Sequence, residues 1–188
     1  MSVIGASAGG IQALQELLAA LPRDLGASIL IVVHTAAQDG YLAEVLDRSA
    51  HMQAVKAEQG MRIEIGQIYV APPDHHLTVQ DSEVVLTRGP KVNRHRPAID
   101  PLFESAAQAY GNELVGVVLT GYLDDGTAGL AAVKAHGGIA VVQDPEDAVV
   151  PNMPLNALRH VKVDHCVPLA EIPPLLIRLV QGQKGKKK

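Results

Sequence analysis

The sequence predicts an α/β fold in one compact domain, with a mainly parallel sheet covered by crossover helices. Three observations carry this. Short runs rich in Val and Ile recur along the chain, each followed by a loop bearing Gly or Asp and then by a stretch with helical period. At 188 residues the chain can bury one sizeable core but is short for two domains. With 47% apolar and only 3% aromatic residues, that core has to be aliphatic, which suits strands buried on both faces.

The first strand is read over Ser2–Ile4, followed by a Gly-rich turn and a helix with Ile11, Leu14, Leu17, Leu18 and Leu21 on one stripe, stopped by Pro22. Ser28–Val33 is the second strand and ends at His34. Tyr41–Arg48 reads as a helix with Leu42, Val45 and Leu46 inward, and Gln67–Val70 as another strand. Leu77–Gln80 and Glu83–Leu86, around Asp81-Ser82, form a hairpin among the parallel units. The spacing of Ile99, Leu102, Phe103, Ala106 and Tyr110 predicts a helix over Ile99–Tyr110, and Leu114–Leu119 is the clearest buried strand. A helix at Thr127–Ala135, a strand at Ile139–Val142, a helix at Asn152–Arg159, a short strand at Val161–Val163 and a last helix at Ala170–Val180 complete the pattern. The domain is thus expected over residues 1–180. Residues 181–188 lack apolar side chains and read as a disordered basic tail.

Composition narrows the function. Cys166 is the single cysteine, so no internal disulfide is available, and no run approaches the ~18 apolar residues of a membrane span. Met1–Ile4 carries no basic start of a signal peptide, so the chain is expected to begin inside its fold and to work in the cytoplasm without direct membrane insertion. Net charge is −4, and because Lys184, Lys186, Lys187 and Lys188 sit in the tail, residues 1–183 carry 12 basic against 20 acidic side chains. That balance excludes nucleic acid as a general partner.

In open parallel sheets, ligands bind beyond the carboxyl ends of the strands, which singles out Ser7, His34 and the pair Asp124-Asp125. A hydroxyl, an imidazole and a carboxylate at three strand ends are the parts of a nucleophile, base and orienter relay. Gly5-Ala6-Ser7-Ala8-Gly9 fits G-x-S-x-G, whose small residues let a strand turn sharply into a helix and expose the serine. The amides of Ala8, Gly9 and Gly10 at that helix start are candidates to hold an oxyanion. Plainer roles stay open: a helix cap or phosphate cradle for Ser7, an edge-of-core histidine for His34, a turn residue or cap for Asp125. Gly5–Gly10 matches neither common nucleotide motif, and the order Ser, His, Asp differs from that of α/β-hydrolases.

Arg88, Lys91, Arg94 and Arg96 place four cations within nine residues of an otherwise acidic chain, either as a solvated loop or as a positive rim for an acidic substrate. His75, His76 and His95 with Asp74 lack the spacing of a metal site, so no metal is assigned.

Several segments together resemble the catalytic domain of protein-glutamate methylesterases of the CheB type, from bacterial chemosensory pathways. They are Ile4–Gly10, the strand ending at His34, Tyr69–His76, Val92–Asp100 with its Asn-Arg-His-Arg-Pro core, Val117–Gly121 leading to Asp125-Gly126, and Val149–Pro154. They cover nearly the whole chain in family order. The resemblance implies a doubly wound, Rossmann-like three-layer fold with an antiparallel hairpin at one end. It implies Ser7 as nucleophile, His34 as general base and acid, Asp125 as the carboxylate orienting His34, and no cofactor. It also places His95 by the cleft with Ala8, Gly9 and Tyr122, and makes Arg94 and Arg96 candidates for contact with a glutamate-rich substrate. The implied reaction is hydrolysis of glutamate γ-methyl esters on chemoreceptor cytoplasmic helices to glutamate and methanol, with deamidation of receptor glutamines as a related activity. A separate receiver domain or a chemosensory kinase would be further partners, because the receiver domain many members carry is not in this sequence. Against the family pattern, Ala8 stands where Thr or Ser is frequent, Tyr122 where Met is common, Leu123-Asp124 in place of Gly-Asn, and Thr35-Ala36 in place of Met-Pro. Alternatives to this reading are an acyl hydrolase for another ester or amide, and a catalytically silent domain that binds a receptor or partner.

Overall fold

Residues 1–34 and 41–185 are described by a computed structural model, the last three by backbone alone. Seven strands form one all-parallel sheet: β1 (Ser2–Ala6), β2 (Ile29–Val33), β3 (Gln53–Lys56), β4 (Gln67–Val70), β7 (Val115–Val118), β8 (Ile139–Gln143) and β9 (His165–Val167), in the order β3-β4-β2-β1-β7-β8-β9. The hairpin β5 (His76–Gln80) and β6 (Glu83–Thr87) is a separate antiparallel pair, packed on helix α3 (Ile99–Tyr110). The remaining helices are α1 (Gly10–Ala19), α2 (Leu42–Asp47), α4 (Thr127–Ala135), α5 (Asn152–His160) and α6 (Ile172–Gly185).

The central strands are unbroken apolar runs because both their faces are buried. Ile4, Ile29, Ile31, Val33, Val115 and Val117 turn to the layer of α1, α2 and α6; Val3, Leu30, Val32, Val118 and Val142 turn to that of α3, α4, α5 and the hairpin. On α1, Leu14, Leu17 and Leu18 are buried, each contributing about 1.5–3 kcal/mol by leaving water. Gly5 lets the second layer close down on the sheet, since a Cβ there would collide with Ile99 at the start of α3.

Three elements differ from the sequence reading. The short strand forms at His165–Val167, not Val161–Val163: apolar residues stand at both ends of the stretch from Val161 to Val167, and pairing with Val141–Gln143 of β8 decides. Strand β3 was not foreseen, because an edge strand of four residues with one buried side chain has almost no pattern of its own. The hairpin forms where expected, between parallel units in chain order, and pairs as its own two-stranded sheet. Residues 181–185, expected in a tail, continue α6, and 186–188 lie outside the described residues.

Candidate active site

The chain leaves β1 toward β2 and later returns to its other side as β7, so the strand order reverses at β1 and opens a crevice past these carboxyl ends. Ser7, His34 and Thr120–Asp125 follow directly on the three strands. The His34 amide donates to the Ala6 carbonyl at 3.1 Å and the Ser7 amide to that of Thr120 at 3.0 Å, tying the strand ends side by side.

Gly9 caps α1 in the left-handed region, φ 77°, and a Cβ there would also lie 2.9 Å from Val149. The Gly10 amide closes the turn on the Ser7 carbonyl at 2.8 Å, so of the three amides expected to face an oxyanion it is already spent. Those of Ala8 and Gly9 have no acceptor among the described residues, and they lie at the positive end of α1. Gly121 borders Ser7 on the other side: a Cβ there would sit 2.7 Å from the Ser7 Cβ and against the Met153 thioether.

His34 Nε2 donates to Asp125 Oδ2 at 2.6 Å, with side chains only 5% and 1% exposed. An ionised Asp125 requires the hydrogen on Nε2, which leaves the lone pair on Nδ1. That nitrogen is buried and has no hydrogen-bond partner, so it is the ring atom available to take a proton. The Ser7 hydroxyl is half-buried and is not bonded to it in this conformation, a gap common before substrate binds.

Asp125 is held by five donors. Besides His34, the Ile99 amide reaches Oδ2 at 2.6 Å, while Asn93 Nδ2 (2.8 Å), the Asp100 amide (3.2 Å) and the Gly126 amide (3.1 Å) reach Oδ1. Burial alone would raise this carboxyl, but His34, the Ile99 amide and Asn93 outweigh it and hold it below the ordinary Asp range. Its neighbour Asp124 is exposed, so the competition between the two is decided by geometry.

The loop from Arg88 to Pro97 covers the dyad. Val92 and His95 exchange backbone hydrogen bonds at 3.1 and 2.8 Å across a tight turn, with Asn93 (φ 49°) and Arg94 (φ 70°) both left-handed. The turn sets His95 flat on His34, ring centroids 3.6 Å apart and planes 4° from parallel. Burial, then the charge of His34, pushes His95 below the usual histidine range, which keeps a second positive charge away from a protonated His34. Arg96 is not a free cation: Nε donates to Asp74 at 2.8 Å and Nη1 to the Gly89 carbonyl at 2.8 Å, so it clasps the loop. Arg88 also pairs with Asp74, at 3.3 Å. Arg94 and Lys91 are exposed and unpaired among the described residues, and Tyr122 and Leu123 in the loop after β7 and Val149 in the loop after β8 are exposed apolar side chains. His75 Nδ1 and His76 Nε2 donate to the Pro73 and Pro90 carbonyls, both at 2.9 Å, so these histidines do not converge with His95 on a metal. Thr35-Ala36 lie outside the described residues.

Two residues of this cluster were given no role from sequence, Asn93 and Asp100. Asp100 left a trace: it stands three before Phe103 and seven before Ala107 on the buried stripe of α3, a carboxylate where an apolar side chain belongs. Asn93 left none beyond its place in a turn.

A family model described as CheB methylesterase matches residues 2–176. A Leptospira interrogans protein, provisionally named protein-glutamate methylesterase/protein-glutamine glutaminase, is 42% identical over 182 residues, covering 96% of this chain and 94% of its own length. The Pyrococcus horikoshii protein-glutamate methylesterase/protein-glutamine glutaminase is 37% identical over 189 residues, covering 97% of this chain but 51% of its own, so the chain spans about half of that relative. The crystal structure of the Thermotoga maritima CheB methylesterase catalytic domain superimposes with a TM-score of 0.90 at 34% identity, covering 95% of this chain and 97% of that one. With this sequence, sheet order and crevice, the chain belongs to the CheB methylesterase family.

Proposed function

We propose that the chain is a serine esterase that hydrolyses glutamate γ-methyl esters on chemoreceptor cytoplasmic helices, and deamidates receptor glutamines by the same route. The observation that carries this is the buried His34–Asp125 pair at 2.6 Å, with Nδ1 left unpartnered at the strand end next to Ser7. His34 Nδ1 takes the Ser7 proton as Oγ bonds to the ester carbonyl carbon, and the carbonyl electron pair moves onto oxygen, facing the Ala8 and Gly9 amides. The tetrahedral species collapses, the methoxy group leaves with the proton from His34, and methanol departs. Water then adds to the acyl-enzyme with His34 again as base, and breakdown returns a proton to Ser7 and releases the glutamate side chain. With a glutamine substrate, ammonia leaves in place of methanol.

Asp125 keeps the hydrogen on Nε2 and stabilises the imidazolium at each turn. Arg94 and Lys91 are the exposed loop cations not paired with Asp74 and so available to a glutamate-rich helix, and the exposed Tyr122, Leu123 and Val149 offer it apolar contact. Receptor signalling helices place the reaction in the cytoplasm, and among the described residues no helix is long and apolar enough to cross a membrane. A receiver domain or a chemosensory kinase is the expected controlling partner. The test is methanol release from a carboxyl-methylated receptor cytoplasmic fragment. Wild type should release it and Ser7→Ala should not, at equal thermal stability; release that survives Ser7→Ala removes the nucleophile, and none from a folded wild type removes the substrate.

A further inference from the structure

Behind the dyad lies a second buried carboxylate that the reaction above does not use. Asp100 is 6% exposed, and its Oδ1 accepts from the Gly126 and Gly129 amides at 2.9 and 2.7 Å. In return, the Ile99 and Asp100 amides end on Asp125, so each carboxylate caps the start of the other's helix. One neutral group joins them: Asn93 Nδ2 donates one hydrogen to Asp100 Oδ2 at 2.7 Å and the other to Asp125 Oδ1 at 2.8 Å. Two carboxylates within reach of a single nitrogen repel, and such pairs ordinarily settle the conflict by keeping a proton.

We propose that Asn93 is a positioning residue of the hydrolysis: by bridging Asp100 and Asp125 it lets both stay ionised, and so keeps Asp125 an acceptor for the His34 Nε2 proton. This rests on the His34–Asp125 reading given under the proposed function and deepens it. The same turn delivers His95 onto His34, so one two-residue reversal contacts both members of the dyad. Burial, followed by the charges of Asp125 and Glu104, pushes Asp100 up to about 6, while the Gly129 amide and Asn93 pull it down. Other titratable groups facing the pair are His34 at the end of β2 and His95 in the turn, on which Lys91 and Arg94 act through their charge.

Asn93 is left-handed, so Asn93→Gly removes the amide while leaving the turn its preferred backbone. Carboxyl ¹³C and imidazole ¹⁵N titrations of the intact chain follow Asp100, Asp125 and His34 without any substrate. In Asn93→Gly the carboxylate pair should take up its first proton about one pH unit higher than in wild type. Methanol release should follow, with kcat falling ~3-fold near pH ~6.5 and less than ~2-fold near pH ~8.5. Adding Asp100→Asn removes the second anion and should reverse both shifts. A titration that Asn93→Gly leaves in place, or a shift that Asp100→Asn does not reverse, overturns the proposal and reduces Asn93 to a turn former. If wild type released no methanol, the substrate reading would fail while the carboxyl titration still decided this one.

Discussion

Replacing Asp125 by Asn separates the orienting role of this side chain from its structural one. The carboxylate accepts from His34 and the Ile99 amide on Oδ2, and from Asn93, the Asp100 amide and the Gly126 amide on Oδ1. An amide accepts on one side only. Turning its NH2 toward Oδ1 would oppose two backbone amides that cannot rotate away; turning it toward Oδ2 opposes one, that of Ile99. The second orientation should win, at a stability cost of about 1–3 kcal/mol for one orphaned buried donor. It then donates to His34 Nε2, which forces the ring hydrogen onto Nδ1 and removes the lone pair that takes the Ser7 proton. kcat should fall about 10³–10⁴-fold, equivalent to about 4–5.5 kcal/mol of barrier, well beyond the folding loss. Methanol release gives kcat, urea unfolding gives the stability change, and imidazole ¹⁵N shifts report the tautomer. A folded Asp125→Asn variant that keeps a tenth of wild-type kcat, or a hydrogen still on Nε2, refutes the reasoning.

Three further outcomes follow from the same geometry. Gly121→Ala puts a methyl 2.7 Å from the Ser7 Cβ and against Met153, so kcat should drop at least ~10-fold for a stability loss of ~1–3 kcal/mol; unchanged kcat in a folded variant contradicts the crowding. Asp100 has its folded pKa raised from 3.8 to about 6, so its contribution to stability is full below pH ~4 and is lost as pH rises through ~6. Between pH ~4 and ~7, wild type should therefore lose about 2–3 kcal/mol relative to Asp100→Asn, and parallel pH–stability curves for the two would show that Asp100 carries no such shift. Arg94→Ala should raise KM several-fold with stability unchanged to within ~0.5 kcal/mol, whereas Arg96→Ala should lower the melting temperature by freeing the Asp74 clasp; the reverse pattern would reassign the two arginines.

Much of this molecule is legible from its sequence because its signals are local. A strand buried on both faces has to be a short aliphatic run, and Ile29–Val33 and Val115–Val118 are found where such runs stand. The helices Ile99–Tyr110 and Thr127–Ala135 keep their expected bounds because apolar spacing sets them. Residues placed directly after a strand are also local, which is why Ser7, His34 and Asp125 stood out before any contact was known.

What the sequence left open depends on meetings between distant segments. Val163 and Val167 close two short candidate segments of one stretch, and only the edge of β8 chooses His165–Val167 as the strand. Asp124 and Asp125 are adjacent carboxylates of equal chemistry until one is buried against His34 and the other is left in water. Arg94 and Arg96 belong to one basic loop, yet Asp74, 22 residues before Arg96, neutralises only the latter. The bridge from Asn93 to Asp100 and Asp125 spans 7 and 32 residues of chain. Apolar pattern, turn chemistry and strand ends act over a few residues, so the sequence by itself determined the buried central strands, the helices and the candidate trio. Register at an edge, the ionisation of a buried pair and the partner of each cation are set by neighbours the chain meets only on folding, and those the tertiary structure alone decided.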